Sequence, residues 1–204
     1  MRIPMNRVQI ECISALLIFF VPFLAGYLLY VLGYLTEVLG HYVIYPIYIV
    51  GSILLTIHNK RSLEEIGLTR KELFISFGYS MIFVIVNFFS RLFFTDLRLS
   101  PDSSSAFFFA YNLFYHLFGG FGQEIIFRGL ILFSFNRWKG WKYALLISSI
   151  LFGFAHILRG VMGIIATTII GIYWGWVALK TRNIIGVSIA HGLYNFLFSF
   201  MFIS

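Results

Sequence analysis

The stretch AFFFAYNLFYHLFGGFGQEIIFRGLILFSF, residues 106–135, is apolar nearly throughout and carries its only two charges, Glu124 and Arg128, in its second half. An ionisable side chain within a membrane span costs about 2.5 to 3.5 kcal/mol on insertion scales, so each one needs a partner or a purpose. A spacing of four places these two on one face of a helix, where they can pair and lower each other's cost. The run exceeds the roughly 17 to 25 residues that cross a hydrocarbon core of about 30 Å. Gly119, Gly120 and Gly122 mark the expected position of a kink or break, within which an eighth helix could hide.

The rest of the chain has the same character. Of its 204 residues 60% are hydrophobic and 11% charged, and the mean hydropathy is +0.89, against roughly a quarter charged in soluble globular domains. Six more apolar stretches run over 10–32, 39–57, 73–94, 141–157, 161–179 and 184–203. The expected fold class is all-α, a polytopic transmembrane helical bundle of about seven to eight spans. It forms one integral-membrane domain over 1–204 whose chemistry-bearing half is 106–204. The first stretch is too long for a signal-peptide core and has no small-residue cleavage site, so it is expected to be retained. No repeat, low-complexity tract or soluble domain interrupts the pattern.

A net charge of +7 would suggest nucleic acid in a soluble protein. Here the basic residues separate apolar runs instead of forming a stripe, and no nucleic-acid partner is expected. They read as topology signals. Arg2 and Arg7 precede the first stretch; Lys60, Arg61, Arg70 and Lys71 follow the second; Arg137, Lys139 and Lys142 follow the fourth; Lys180 and Arg182 follow the sixth. The alternate loops are poorer, with Glu37, with Arg98 against Asp102, and with Arg159. Seven spans with a cytoplasmic N-terminus satisfy this alternation, and 62–71 reads as a short amphipathic piece at the cytoplasmic interface. Residue usage and the short chain suggest a multi-pass protein of a bacterial cell membrane, in contact with membrane lipids. The single cysteine, Cys12, rules out an intrachain disulfide and a cysteine-based zinc site.

Two further polar clusters sit in apolar surroundings: Phe152-Gly153-Phe154-Ala155-His156, and His191-Gly192-Leu193-Tyr194-Asn195. His191 and Asn195 share the spacing of four, which sets an imidazole beside an amide. Each cluster alone reads as packing or a structural ion pair; three of them on three spans resist that reading.

In this combination the chain resembles the CPBP family (CAAX protease and bacteriocin-processing), which includes the type II CAAX prenyl endopeptidases and the Abi proteins. That family carries E-E-x-x-x-R on one span, F-x-x-x-H on the next and H-x-x-x-N on a later one. The corresponding residues here are Gln123, Glu124 and Arg128, then Phe152 and His156, then His191 and Asn195. The resemblance extends from Phe121 to Asn195. It implies a glutamate-dependent intramembrane endopeptidase acting on a peptide or a lipidated, CAAX-type protein. The first glutamate would be general base toward a water, helped by the histidines, and the asparagine with a histidine would stabilise the oxyanion. A carboxylate in a low-dielectric pocket is a stronger base than in water, and oxyanion donors are worth more where water is scarce. No cofactor or metal is implied.

One departure matters. Gln123 stands where the family has its first glutamate, and an amide does not accept a proton from water near neutral pH. Activity should fall by about 10² to 10⁴ for loss of a general base, while fold and substrate binding survive. Two explanations compete: an inactivated variant that traps a state, or a natural member that has exchanged proteolysis for a regulatory, immunity or binding role as a membrane scaffold. Glu124 is a poor substitute base because Arg128 is its natural partner.

Other polar residues read more simply. Glu64 and Glu65 form a solvated face, His116 is expected in packing, His41 and His58 near interfaces, Asn112 as a supporting polar group, and Trp138, Trp141, Trp174 and Trp176 in interface belts and bundle packing. H-E-x-x-H is absent. Two histidines with Glu124 and Asn195 could in principle hold a metal, but no metal is expected. Ser188 and His191 share one helix, unlike a rhomboid-type dyad, and no two similar halves suggest a transporter.

Overall fold

The computed structural model describes residues 6–94 and 105–201, and among these there are helices and turns but no strand. Arg2, Arg98 and Asp102 of the charge pattern lie outside the described residues. Seven long helices follow the apolar runs: α1 Arg7–Val31, α2 Glu37–His58, α3 Leu73–Phe94, α4 Ala106–Lys139, α5 Trp141–Phe154, α6 Gly160–Thr181 and α7 Ile185–Met201. Five of them, α1 to α4 and α6, are long and apolar enough to cross a membrane. With 14 residues, α5 reaches only about 21 Å at 1.5 Å per residue, less than a bilayer core of about 30 Å.

Local sequence explains several helix starts. Asn6 accepts the Gln9 amide at 2.9 Å and Gln9 returns a bond to the Asn6 N–H at 2.9 Å, a reciprocal cap that satisfies two otherwise orphaned donors. Thr36 caps α2 through the Leu39 amide at 3.2 Å, and Ser105 caps α4 through Phe108 at 3.3 Å.

The fourth helix is the hub. Its most apolar window is 78% buried, against 17% in α1, so the chain wraps the other helices around it. It is one continuous helix of 34 residues, without the break expected at its glycines, and no eighth helix lies in it. Gly119, Gly120 and Gly122 are helical and buried. They are contact points: a Cβ on Gly119 or Gly122 would meet Tyr45 of α2, and one on Gly120 would stand 2.8 Å from the Gly192 nitrogen and 2.9 Å from the Ser188 oxygen of α7. Backbone-to-backbone packing of this kind is what small residues permit between membrane helices. The irregularity comes later, where Ile125–Leu132 is a π segment, a wider turn that frees backbone groups and recurs at functional sites. The Phe127 carbonyl there accepts the Ser148 hydroxyl of α5 at 2.9 Å, so its polarity is satisfied inside the bundle.

The Gly120 contact gives a direct test. Gly120→Ala presses a methyl against immovable α7 backbone and should lower the thermal unfolding midpoint of the detergent-solubilised protein by several degrees, an overpacking cost of about 1 to 3 kcal/mol. Gly78→Ala, whose Cβ meets nothing within 4 Å, should leave the midpoint unchanged or raise it.

One end of the bundle is tied by polar contacts. Glu11 of α1, 2% exposed, accepts Arg61 Nε at 2.9 Å and Ser134 Oγ at 2.8 Å and also pairs with Arg137. Asn183 Nδ2 donates to the Thr69 and Lys71 carbonyls at 2.6 and 2.8 Å, and the Ile184 amide donates to Gly67 at 3.0 Å. The start of α1, the α2–α3 loop, the end of α4 and the α6–α7 turn therefore meet at one face. In that loop the Ser62 amide, with Arg61, holds the Glu65 carboxyl below its ordinary range. A depressed folded value means stability present above the unfolded value near 4.5 and lost as pH falls through the folded one. Unfolding in detergent at pH 3 compared with pH 6 should show this loss, and Glu65→Gln should reduce it.

Candidate active site

Consecutive residues on a helix point about 100° apart, and this separates the two central side chains of α4. Gln123 faces a cavity of about 460 Å³; Glu124 turns into the bundle and is fully buried. The six residues singled out in the sequence fall into two groups accordingly. Gln123, His156 and Asn195 line the cavity, whereas Glu124, Arg128 and His191 form a buried cluster behind it.

In the buried cluster, Glu124 Oε1 accepts Arg128 Nη1 at 3.0 Å and pairs with His191 Nδ1 at 2.8 Å. Since the carboxylate can only accept, Nδ1 carries the proton. The Arg128 guanidinium lies 4.2 Å over the Phe152 ring and reaches toward the Gly171 carbonyl at 3.4 Å. The His191 ring lies 4.5 Å from Trp174, tilted by 36°, and meets Phe152 edge-on at 5.7 Å. These contacts join α4, α5, α6 and α7 around one carboxylate. Desolvation of two full charges is costly unless they are paired and held in place, and here every ring and charge is packed between helices.

On the cavity side, Gln123 Nε2 donates to Tyr45 Oη at 2.8 Å, while its Oε1 has no protein partner. His156 sits beyond the end of α5, its Nδ1 bonded to the Phe152 carbonyl at 2.8 Å, which leaves Nε2 for the cavity. The same Phe152 thus supports Arg128 with its ring and His156 with its carbonyl. Asn195 stands one turn after His191 on α7, so the spacing of four that sets them on one face also carries the line of polar groups from the buried cluster to the cavity wall.

The remaining wall comes from residues given other readings from sequence. His116 and His41 line the cavity, where packing and an interface were expected; His116 Nε2 bonds Ser199 Oγ at 2.7 Å, and His41 bonds Tyr115. Tyr45, Tyr194, Arg91 and Arg159 also face it. Trp174, assigned to belts or packing, is 1% exposed against His191. Asn112 bonds back to the Phe108 carbonyl at 2.9 Å, and Glu64 pairs with Lys71 in the exposed loop. Among the described residues no three His, Cys, Asp or Glu side chains gather closely enough to hold a metal ion.

The cavity therefore offers a polar side chain at position 123, an imidazole nitrogen and a side-chain amide on the wall of one space of about 460 Å³, with aromatic walls that can bind extended polypeptide. Residues 104–197 match the family model of type II CAAX prenyl endopeptidase Rce1-like proteins, a span that takes in α4 from its start and most of α7. Neither the curated proteins nor the solved structures gave a match.

Proposed function

We propose that this chain, a member of the CPBP protease family through residues 104–197, is an intramembrane endopeptidase scaffold whose catalytic water would lie between positions 123 and 156. The observation that carries this reading is the convergence of Gln123, His156 and Asn195, from α4, the α5–α6 connection and α7, on one cavity. A glutamate at position 123 would take a proton from that water as it attacks the peptide carbonyl. His156 Nε2, unprotonated while Nδ1 donates to the Phe152 carbonyl, would accept a hydrogen bond from the water and orient it; the protonated glutamate would then return its proton to the leaving amine, and the Asn195 amide would donate to the developing oxyanion. Glu124, Arg128 and His191 keep α4, α5, α6 and α7 in register and touch no substrate.

With Gln123 the base is missing, and the protein as it stands binds without cutting. This supports a second reading, a non-catalytic scaffold or immunity protein that uses the same cavity to hold a partner. In either case the protein is a multi-pass resident of a bacterial cell membrane, one integral-membrane domain with its N-terminus in the cytoplasm, and its ligand is a peptide or a lipidated protein. Purified protein and its Gln123→Glu form, in liposomes with a quenched-fluorescent peptide set, decide between the readings. Hydrolysis in the glutamate form that disappears on adding His156→Ala supports the protease. Silence of the glutamate form across the set, with peptide still bound, supports the scaffold.

A further inference from the structure

The cavity and most of the basic residues occupy opposite ends of the bundle. The contacts of Glu11 with Arg61 and Arg137, and of Asn183 with Thr69 and Lys71, gather the N-terminus of α1, the α2–α3 loop, the end of α4 and the α6–α7 turn at one face. All the loops rich in Lys and Arg belong to that face. The cavity is lined from the other side, by Tyr30 and Thr36 at the α1–α2 turn, Arg91 in the last turn of α3, Arg159 in the α5–α6 connection and Ser199 near the end of α7. Among the described residues that side carries only Arg91 and Arg159 of the chain's 15 Lys and Arg residues. Lysine and arginine in short loops are retained on the cytoplasmic side.

We infer that the cavity opens on the outer, non-cytoplasmic side of the membrane and takes a polypeptide segment that has already been translocated. That the segment is a substrate or bound partner rests on the proposed function; the direction in which the cavity opens does not. The consequence is a restriction on substrate class. A prenylated CAAX protein acquires its lipid at a C-terminal cysteine in the cytoplasm and presents that end to the inner leaflet, so it cannot reach an outward cavity. A secreted peptide, or the outer flank of a membrane-anchored one, can.

Cysteine labelling tests the direction without any need for catalysis. The single native thiol, Cys12, is buried, so it stays silent and introduced cysteines report alone. Tyr34→Cys lies at the cavity end, where Tyr34 is 77% exposed, Ser199→Cys lies in the cavity wall, and Lys71→Cys lies on the basic face, where the lysine side chain is 75% exposed. Each is expressed in bacterial cells and treated with a membrane-impermeant maleimide before and after permeabilisation. The expected result is full labelling of Tyr34→Cys and Ser199→Cys in intact cells and of Lys71→Cys only after permeabilisation. The reverse pattern, or labelling of both faces in intact cells, overturns the inference. A cleavage assay of the Gln123→Glu form in right-side-out vesicles is a separate readout: outward labelling without cleavage of added peptide counts against the protease and leaves the direction standing.

Discussion

Gln123→Glu should raise peptide hydrolysis by about 10² to 10⁴-fold over the protein as it stands, the usual worth of a positioned general base. The gain depends on the site being otherwise assembled, and the geometry argues that it is. Tyr45 Oη already accepts a hydrogen bond from the amide at 2.8 Å; facing a carboxylate it can reverse and donate, fixing one oxygen. The second oxygen takes the place of Gln123 Oε1, a buried atom with no protein partner, so its lone pairs are not committed to another side chain. Glutamine and glutamate differ little in volume, so no neighbour has to move. Tyr45→Phe in the Gln123→Glu background then separates positioning from chemistry: it should lower kcat with little change in KM, because it loosens the base without touching the peptide-binding walls. An equal loss from Tyr45→Phe and His156→Ala would show that the tyrosine is part of the reacting set, and no gain at all from Gln123→Glu would remove the base from position 123.

The parts of this arrangement that were legible in the sequence are those governed by one segment at a time. Apolar runs give the helices, and a spacing of four gives the face shared by His191 and Asn195 and the Glu124–Arg128 pair, which the wider turn at Ile125–Leu132 still leaves on one face. What could not be read depends on which segments meet. Gly119, Gly120 and Gly122 suggest flexibility on paper, and only the approach of Tyr45 and of the α7 backbone turns them into packing surfaces of a rigid helix. His116 and His41 look like ordinary packing and interfacial residues until six segments close around a space. The separation of Gln123 from Glu124 was implicit in their adjacency, since neighbours on a helix cannot face the same side. Tyr45 carried a weak signal of its own, a hydroxyl in the middle of an apolar run, but nothing in the sequence names its partner.

Arg128→Met should destabilise the folded protein by about 3 to 5 kcal/mol, the cost of breaking a buried ion pair on one side only. Arg128 and Glu124 are both wholly inaccessible to solvent, and without the guanidinium the carboxylate keeps only His191 at 2.8 Å, with Oε2 already unpartnered. The measurement is unfolding in detergent by heat or denaturant, followed by helical signal. Glu124→Gln combined with Arg128→Met removes both charges while nearly preserving volume, and it should recover much of the loss, since replacing a buried pair by neutral groups is often close to neutral. That recovery is what distinguishes a positioning cluster from a catalytic one. If the cluster only holds α4, α5, α6 and α7 together, the double variant in the Gln123→Glu background should regain hydrolysis in proportion to its folded fraction. A double variant that folds well but hydrolyses no peptide would place Glu124 or Arg128 in the chemistry, and would mean that the charge behind the cavity wall acts on the reacting atoms through His191.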